Sequence, residues 1–212
     1  MLKTLAFALL LFGSVEAAVV IDRIAVVVGK HAVKLSDVDR DLRVTAFLNR
    51  EPLVESPDAK RKAAERLIDQ QLIRDELATG NYSRASDGDA QALLEQIRRE
   101  RFGGSEARLK QNLASYRITE EQLRAQLLWQ MTVLRFIDQR FRPGVLVSDE
   151  DVRVYYDQHP AVRKVSFENA ATQIRKTLEG EQVDAQFEMW LQGARMRARI
   201  EFRDAAFAGG GA

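Results

Sequence analysis

A short β-rich segment near the start of the chain limits the folds that are open to it. Residues 19–39 read VVIDRIAVVVGKHAVKLSDVD. β-Branched residues dominate positions 19–28, Gly29 and Lys30 give a tight-turn signal, and residues 31–35 form a second short run, so the pattern predicts a β-hairpin. An isolated two-stranded hairpin is marginally stable in water, so this one needs a further strand or a packed helix.

The strand that could complete this sheet lies at the other end of the chain. Residues 199–202, RIEF, are the only comparable short strand candidate far downstream of the hairpin. Ser36 follows the hairpin as a candidate helix N-cap, and Asp37 and Asp39 place negative charge in the first turn, where the helix dipole favours it. We therefore expect the two ends of the chain to meet in a small antiparallel sheet.

Helices dominate the rest of the sequence. Few glycines and prolines interrupt the region between the predicted strands, and helix start and stop signals divide it into segments. The predicted helices are residues 36–49, 59–78, 87–102, 105–116, 120–141, 149–158 and 167–199, the last as one helix or a broken pair. The expected fold is therefore mostly α, a helical body closed by a small antiparallel sheet formed from the N-terminal hairpin and a C-terminal strand.

The fifth predicted helix opens with a capping box, from Thr119 to Gln122. Apolar residues occupy both a stripe and a second face of this helix. The stripe holds Leu123, Leu127, Met131, Leu134, Ile137 and Phe141, and the second face holds Leu128, Trp129, Val133 and Phe136. A helix that is apolar over so much of its circumference is normally covered on two sides. We expect it to be the central element of the helical body.

Charge and composition exclude several classes of function. The chain has 212 residues, with 32 Lys and Arg against 31 Asp and Glu, and no region is basic enough to make nucleic acid the main partner. The absence of cysteine excludes disulfides, thiolate metal sites and a Cys nucleophile. No phosphate-binding loop, nucleophile elbow or paired His–Glu helix motif is present. The sequence therefore predicts no cofactor, no metal site and no catalytic residue, and His31 and His159 are interpreted as solvated surface residues.

The first 17 residues have the pattern of a secretory signal peptide. An apolar run at 5–12 is followed by Val15 and Ala17, which occupy the positions that a small-residue cleavage site requires. The alternative is an uncleaved anchor, because apolar residues resume after Ala17. No later segment is long and apolar enough for a transmembrane helix, so stable membrane insertion is not expected.

The remaining sequence predicts a single domain over residues 18–204. Its N-terminal part spans 18–159, and its returning C-terminal helix and strand span 166–204. Residues 205–212 are rich in alanine and glycine and are predicted to form a disordered tail.

Several segments resemble the SurA-type periplasmic chaperones and their peptidyl-prolyl isomerase relatives. The opening IDRIAVVVGKHAVKLSDVDRDL looks like the start of mature family members, where a strand pair leads into a helix through a Ser-Asp-(Val/Leu)-Asp step. AAERLIDQQLIRDEL at 63–77 is similar to the second helix of the family. Residues 118–159 resemble its long fourth helix and the segment after it, and residues 187–202 resemble the C-terminal helix and strand that return to the hairpin.

This resemblance implies an ATP-independent holding chaperone of the periplasm that binds unfolded or partly folded polypeptides, with outer-membrane proteins in transit as the client class. Family members usually carry one or two parvulin-type isomerase domains, each of roughly a hundred residues, between the segment ending near His159 and the returning helix. Here only residues 160–166 separate the two. The residues that would carry isomerase activity have no counterpart, so we do not expect an enzyme.

Two alternative functions stay open at this stage. One is a parvulin-type isomerase relative with residual activity or with a catalytic domain supplied by a partner. The other is a dedicated adaptor or scaffold subunit that uses its apolar surface for one partner or for self-association. Breadth of binding separates an adaptor from a chaperone, because a chaperone suppresses the aggregation of unrelated clients.

The candidate peptide-binding residues are Phe47, Leu53 and Val54. They lie at the end of the first predicted helix and in a loop bounded by Pro52 and Pro57, where apolar side chains are either tucked into the core or exposed for binding. Other aromatic and methionine positions could also line a peptide groove, and a place in the core is the alternative interpretation for each. The full set is Phe47, Phe102, Tyr116, Trp129, Met131, Phe136, Phe141, Met189 and Trp190.

Overall fold

The computed structural model describes residues 22–204 and Phe207. Within these residues, seven α-helices and three strands follow one another along the chain, with 3₁₀ turns at Arg142–Gly144 and Val162–Lys164. The elements are β1 Ile24–Val28, β2 His31–Lys34, α1 Leu35–Asn49, α2 Pro57–Thr79, α3 Asp87–Phe102, α4 Glu106–Ser115, α5 Glu120–Arg140, α6 Asp149–Gln158, α7 Phe167–Arg197 and β3 Ile200–Phe202. The predicted signal peptide lies outside the described residues, as does the predicted tail apart from Phe207, whose side chain is buried.

The two ends of the chain meet in one antiparallel sheet with the strand order β2–β1–β3. Strand β1 pairs with β2 across a tight turn in which Gly29 has a φ of +59°, a value that suits a residue without a Cβ atom. On its other edge β1 pairs with β3, which places Val26 opposite Phe202 and Val28 opposite Ile200. The predicted fold class and the predicted closure of the hairpin by a C-terminal strand are confirmed.

Two helices begin earlier than the sequence signals suggested. Helix α1 follows β2 without a break, and the backbone N–H of Lys34 donates to Asp37 Oδ2 at 3.0 Å. The prediction that Ser36 caps α1 is wrong. Its hydroxyl donates to Asp22 Oδ2 at 2.5 Å and not to the backbone of the helix. Helix α2 is capped by Ser56, whose hydroxyl oxygen accepts from the backbone N–H of Ala59, so it begins two residues before the predicted start at 59. A proline at the first helical position explains this shift, because its fixed φ suits a helix start.

The last helix, α7, is continuous over 31 residues, which gives it a length of about 46 Å. Of the two forms that the sequence allowed, the single helix is therefore the observed one. The first half of α7 packs against α6 through Ala170 and Ile174, and its last turns pack against α2 and the sheet through Leu191. The guanidinium of Arg195 fastens α7 to α2, donating to Asp69 Oδ1 at 2.5 Å and to Glu65 Oε2 at 2.6 Å.

Buried apolar side chains form four clusters among the described residues. The sheet, α1, α2 and the end of α7 share the first, and α1, α3, α4 and the first half of α5 share the second. The third joins the ends of α2 and α5 to the middle of α7, and the fourth joins α6 to the start of α7. Helix α5 serves two clusters, with Leu123 and Leu127 in the second and Phe136 in the third. Leu134 lies outside both and is 65% exposed.

No helix among the described residues is long and apolar enough to span a lipid bilayer.

The pairing of β3 with β1 can be tested by removing one backbone donor. Gly29 N–H donates to Arg199 O and Arg203 N–H to Ala25 O, so the opposed residues Val27 and Glu201 form the hydrogen-bonded pair between them. We expect Glu201→Pro to lower the free energy of unfolding by about 1–3 kcal/mol, since it leaves a ladder carbonyl unpaired. It should also speed amide exchange at Val27.

Glu201→Ala is the matched control, because it removes the same side chain and keeps the N–H group. Equal protection of Val27 in the two variants would contradict the observed register.

Candidate functional site

Three depressions surround Trp129 on α5, and this residue lines all of them. The first, of about 540 Å³, lies between β2, α1 and α2 on one side and α5 on the other, and we call it the polar cleft. The second, of about 620 Å³, lies between the end of α2 and the middle of α5 beside His31, and we call it the side cleft. The third, of about 490 Å³, lies between α2, α5 and α7, and we call it the apolar groove. Because the Trp129 side chain lines all three depressions, we take them together as the candidate site.

The apolar groove is lined by both apolar and polar side chains. We call its apolar lining the floor, formed by Ile73, Trp129, Val133, Leu134, Phe187 and Leu191, and its polar lining the rim, formed by Arg66, Asp69, Gln70, Gln126, Gln130 and Glu188. Leu134 is largely exposed, although leucine is usually buried in soluble proteins. The arrangement offers apolar contact area together with hydrogen-bonding groups, which is the general composition of ligand-binding surfaces.

Polar side chains of both α2 and α5 line the groove at this level of the body. Asp69 and Gln70 of α2 face the groove together with Gln126 and Gln130 of α5. Farther along, the ends of the same helices are joined by apolar residues of the third cluster, including Leu77. Asp69 and Gln70 already have partners in Arg195 and Asp41. Burying the amides of Gln126 and Gln130 without partners would be costly, which favours an open space where they lie.

The wall between the polar cleft and the apolar groove is built around Asp41, which is only 7% exposed. Arg66 donates to its Oδ2 atom from Nε at 2.9 Å and from Nη2 at 2.6 Å, and Gln70 donates to Oδ1 at 3.2 Å. Burial raises the pKa of the Asp41 carboxyl above its usual value, and the charge of Arg66 opposes that rise. This network ties α1 to α2 and provides the polar floor of the cleft.

Arg74 occupies the boundary between the polar cleft and the side cleft. Its guanidinium carbon lies 4.2 Å from the centre of the Trp129 ring, which is a cation–π contact. Loss of water around the side chain lowers the pKa of Arg74, and the carboxylate of Asp37 partly offsets this effect. Sequence reasoning missed Arg74, because one arginine on a charged helix has no distinguishing pattern.

The structure does not bring Phe47, Leu53 and Val54 together with these depressions. Phe47 is completely buried, stacked on Phe102 with ring centroids 6.4 Å apart and in edge contact with Tyr116 at 5.6 Å. For Phe47 the core interpretation is therefore the one that the structure supports, because the side chain is enclosed on all sides. Leu53 is half-buried against the first cluster, and Val54 is 57% exposed beside a separate depression under the loop.

Most of the other aromatic and methionine candidates also belong to the core. Phe102, Phe136 and Phe141 are buried, whereas Met189 is exposed. Of the aromatic candidates, Trp129 is the one that lines the depressions described above. Helical periodicity placed it correctly on a second face of α5, but which neighbour covers that face depends on the course of α2 and α7.

The described residues contain no group of three or more His, Asp and Glu side chains arranged to hold a metal ion. His31 Nε2 lies 3.4 Å from Asp75 Oδ1 at the edge of the side cleft. His159 stacks on Tyr155 with ring centroids 3.8 Å apart and belongs to different surroundings.

The chain matches no protein-family model and no curated protein sequence.

The different environments of Phe47 and Val54 lead to opposite expectations for truncation. Phe47→Ala should lower the free energy of unfolding by about 3–5 kcal/mol, because it opens a cavity in the second cluster. Val54→Ala removes an exposed side chain and should change the free energy of unfolding by no more than about 0.5 kcal/mol. Urea unfolding of both variants measures the difference, and a small effect at Phe47 would show that this helix end is not packed as described.

The Asp41 network predicts a pH-dependent variant. Arg66→Gln leaves the buried carboxylate without its cation and should cost about 2 kcal/mol near pH 7, less than for a fully buried pair because Arg66 is itself partly exposed. A raised native pKa means that the folded state binds the proton more tightly than the unfolded state. Stability of the variant should therefore fall as the pH rises above the ordinary Asp value of 3.8.

The readout is the difference in unfolding free energy between variant and wild type at about pH 4 and about pH 7. Combining Arg66→Gln with Asp41→Asn removes the buried charge and should abolish the pH dependence of that difference. If Arg66→Gln lowers the unfolding free energy by the same amount at both pH values, Asp41 is not the group that causes the loss of stability.

Proposed function

We propose that this protein is an ATP-independent holding chaperone that binds unfolded or partly folded polypeptides in the apolar groove. The observation that carries the proposal is the groove itself, with an open apolar floor at Trp129, Leu134 and Phe187 and a rim of charged and amide groups. Holding a polypeptide requires apolar contact and exchange, and it requires no reaction.

The size and chemistry of the groove fit weak and reversible binding. Fully burying one aliphatic or aromatic side chain contributes about 1.5–3 kcal/mol. A few such contacts, offset by the entropy lost when a disordered segment is ordered, leave modest affinity. Modest affinity suits a holding chaperone, since the client must leave again without an energy source.

The rim adds hydrogen-bonding groups without demanding one client sequence. Gln126 and Gln130 present primary amides along α5, and each amide can donate to and accept from the backbone of an extended peptide. Backbone groups are common to all clients, so such contacts support breadth rather than specificity.

The similarity of several segments to SurA-type chaperones supports the same proposal. It adds the periplasm as the compartment and outer-membrane proteins in transit as the client class. A return of the C-terminal strand to an N-terminal hairpin is what that resemblance implies, and strands β1 and β3 pair in this way.

The proposal does not include prolyl isomerisation. Helix α6 ends at Gln158 and α7 begins at Phe167, and the eight residues between them hold only a 3₁₀ turn. That connection has no room for a catalytic domain of ordinary size. An adaptor with one dedicated partner would use the same groove and is distinguished by the range of clients that it protects.

The test is suppression of aggregation by two leucine variants. An unfolded outer-membrane β-barrel is diluted from urea without ATP, and light scattering is followed with and without the protein. We expect wild type to slow aggregation and Leu134→Ser to reduce that protection, because Leu134 forms part of the groove floor. Both the barrel and a soluble, unrelated unfolded protein should be protected.

Leu146→Ser is the matched control. Leu146 is 87% exposed and lies in the connection before α6, away from the groove. Each change affects an exposed leucine, so the unfolding free energy should move by no more than about 0.5 kcal/mol in either variant. If wild type gives no protection, the proposed function is overturned. If the two variants protect equally well, the apolar groove is not the client-binding surface. Protection of one client alone would favour an adaptor.

A further inference from the structure

The polar cleft and the side cleft meet at the cation–π pair of Arg74 and Trp129. Both residues line both clefts, together with Gln71 and Ala125. A segment lying over this pair would therefore have concave surface on either side of it. This geometry suits a polypeptide that continues in both directions better than one whose chain end lies at the pair.

Arg74 has a strong but unused capacity to bind an anion. Among the described residues its guanidinium makes no ion pair or hydrogen bond, and its contact is the one with the face of Trp129. A guanidinium carries five N–H donors in a fixed planar arrangement that matches a carboxylate. The cation–π contact holds the guanidinium against the Trp129 ring, so less ordering is needed when its N–H donors meet a ligand.

The carboxylates near Arg74 do not satisfy it, because they already have partners. Asp37 is close enough to favour the charged form of Arg74 but lies beyond ion-pair distance. The partners are Arg40 for Asp37, Arg66 for Asp41, and both Gln71 and His31 for Asp75. Glu121 also lines the polar cleft, but it lies two helical turns before Trp129, about 12 Å along α5.

We propose that Arg74 binds the side-chain carboxylate of an Asp or Glu residue within an extended client segment lying across the two clefts. Apolar neighbours of that acidic residue would contact Ala125, Leu128 and the free parts of Trp129. This inference rests on the proposed function and adds a client preference to it. The site is therefore specific for an internal acidic residue in an otherwise apolar stretch.

The experiment uses end-blocked peptides, acetylated and amidated, that alternate leucine and serine around a central residue. The central residue is Glu in one peptide, Gln in the second and Lys in the third. Isothermal titration of the full chain should give about tenfold tighter binding of the Glu peptide than of the Gln peptide, the usual size of a charge-assisted hydrogen bond. The ratio should fall at high salt.

Two substitutions at position 74 test the assignment directly. Arg74→Gln should bring the Glu-to-Gln affinity ratio to about one, since the charged contact is lost. Arg74→Glu should reverse the preference in favour of the Lys peptide. Melting temperatures should stay close to that of wild type, because Arg74 has no ion pair or hydrogen bond with the described residues.

Arg153→Gln is the matched control. Arg153 of α6 also lies over an aromatic ring, with its guanidinium carbon 3.6 Å from the centre of Phe167, and it also lacks an ion pair with the described residues. Its loss should leave the Glu-to-Gln ratio unchanged. An equal reduction by both substitutions would overturn the assignment to Arg74.

The remaining outcomes separate this inference from the proposed function. Equal binding of the Glu and Gln peptides by wild type, with aggregation still suppressed, overturns the role of Arg74 and leaves the chaperone intact. A free-acid peptide with central Gln that gains affinity through Arg74 over its amidated form would show that the site binds a chain end, which also overturns the proposal. Loss of both peptide binding and aggregation suppression in wild type would overturn the proposed function as well.

Discussion

The pairing of β3 with β1 is the interaction on which the rest of this structure depends. The hairpin of β1 and β2 is too small to be stable alone, and its free edge is completed by three residues from the opposite end of the chain. That pairing requires α7 to bring the chain back to the sheet. Arg195 then secures the last turns of α7 to α2 through two carboxylates.

The same return creates the candidate site. Helix α7 contributes Phe187 and Leu191 to the apolar groove, while α2 and α5 contribute its other sides. Helix α7 therefore both leads the chain into the third strand and forms one wall of the groove. The amides of Gln126 and Gln130 on α5 favour an open space beside α2, because their burial without partners would be unfavourable.

Trp129 divides the surfaces around it into chemically different parts. On one side its ring adds to an apolar groove, and on the other it supports Arg74 between two more polar clefts. A polypeptide-binding protein can use both, since apolar contact provides affinity and an unpaired guanidinium provides a preference for acidic residues. The proposed holding function and the proposed role of Arg74 are thus two consequences of one side chain and its neighbours.

The sequence by itself determined the elements, because β-branched runs, capping residues and helical periodicity are local signals that act over a few residues. It also predicted the closure of the sheet, because a lone hairpin needs a further strand and residues 199–202 were the only comparable short strand candidate far downstream. It also placed Trp129 on a second apolar face of α5. Only the tertiary structure decided which apolar residues are covered: Phe47 is enclosed by Phe102 and Tyr116, whereas Leu134 is left exposed. Both residues are apolar and helical, so their difference depends on which distant helices pack over them, and a local pattern does not contain that information.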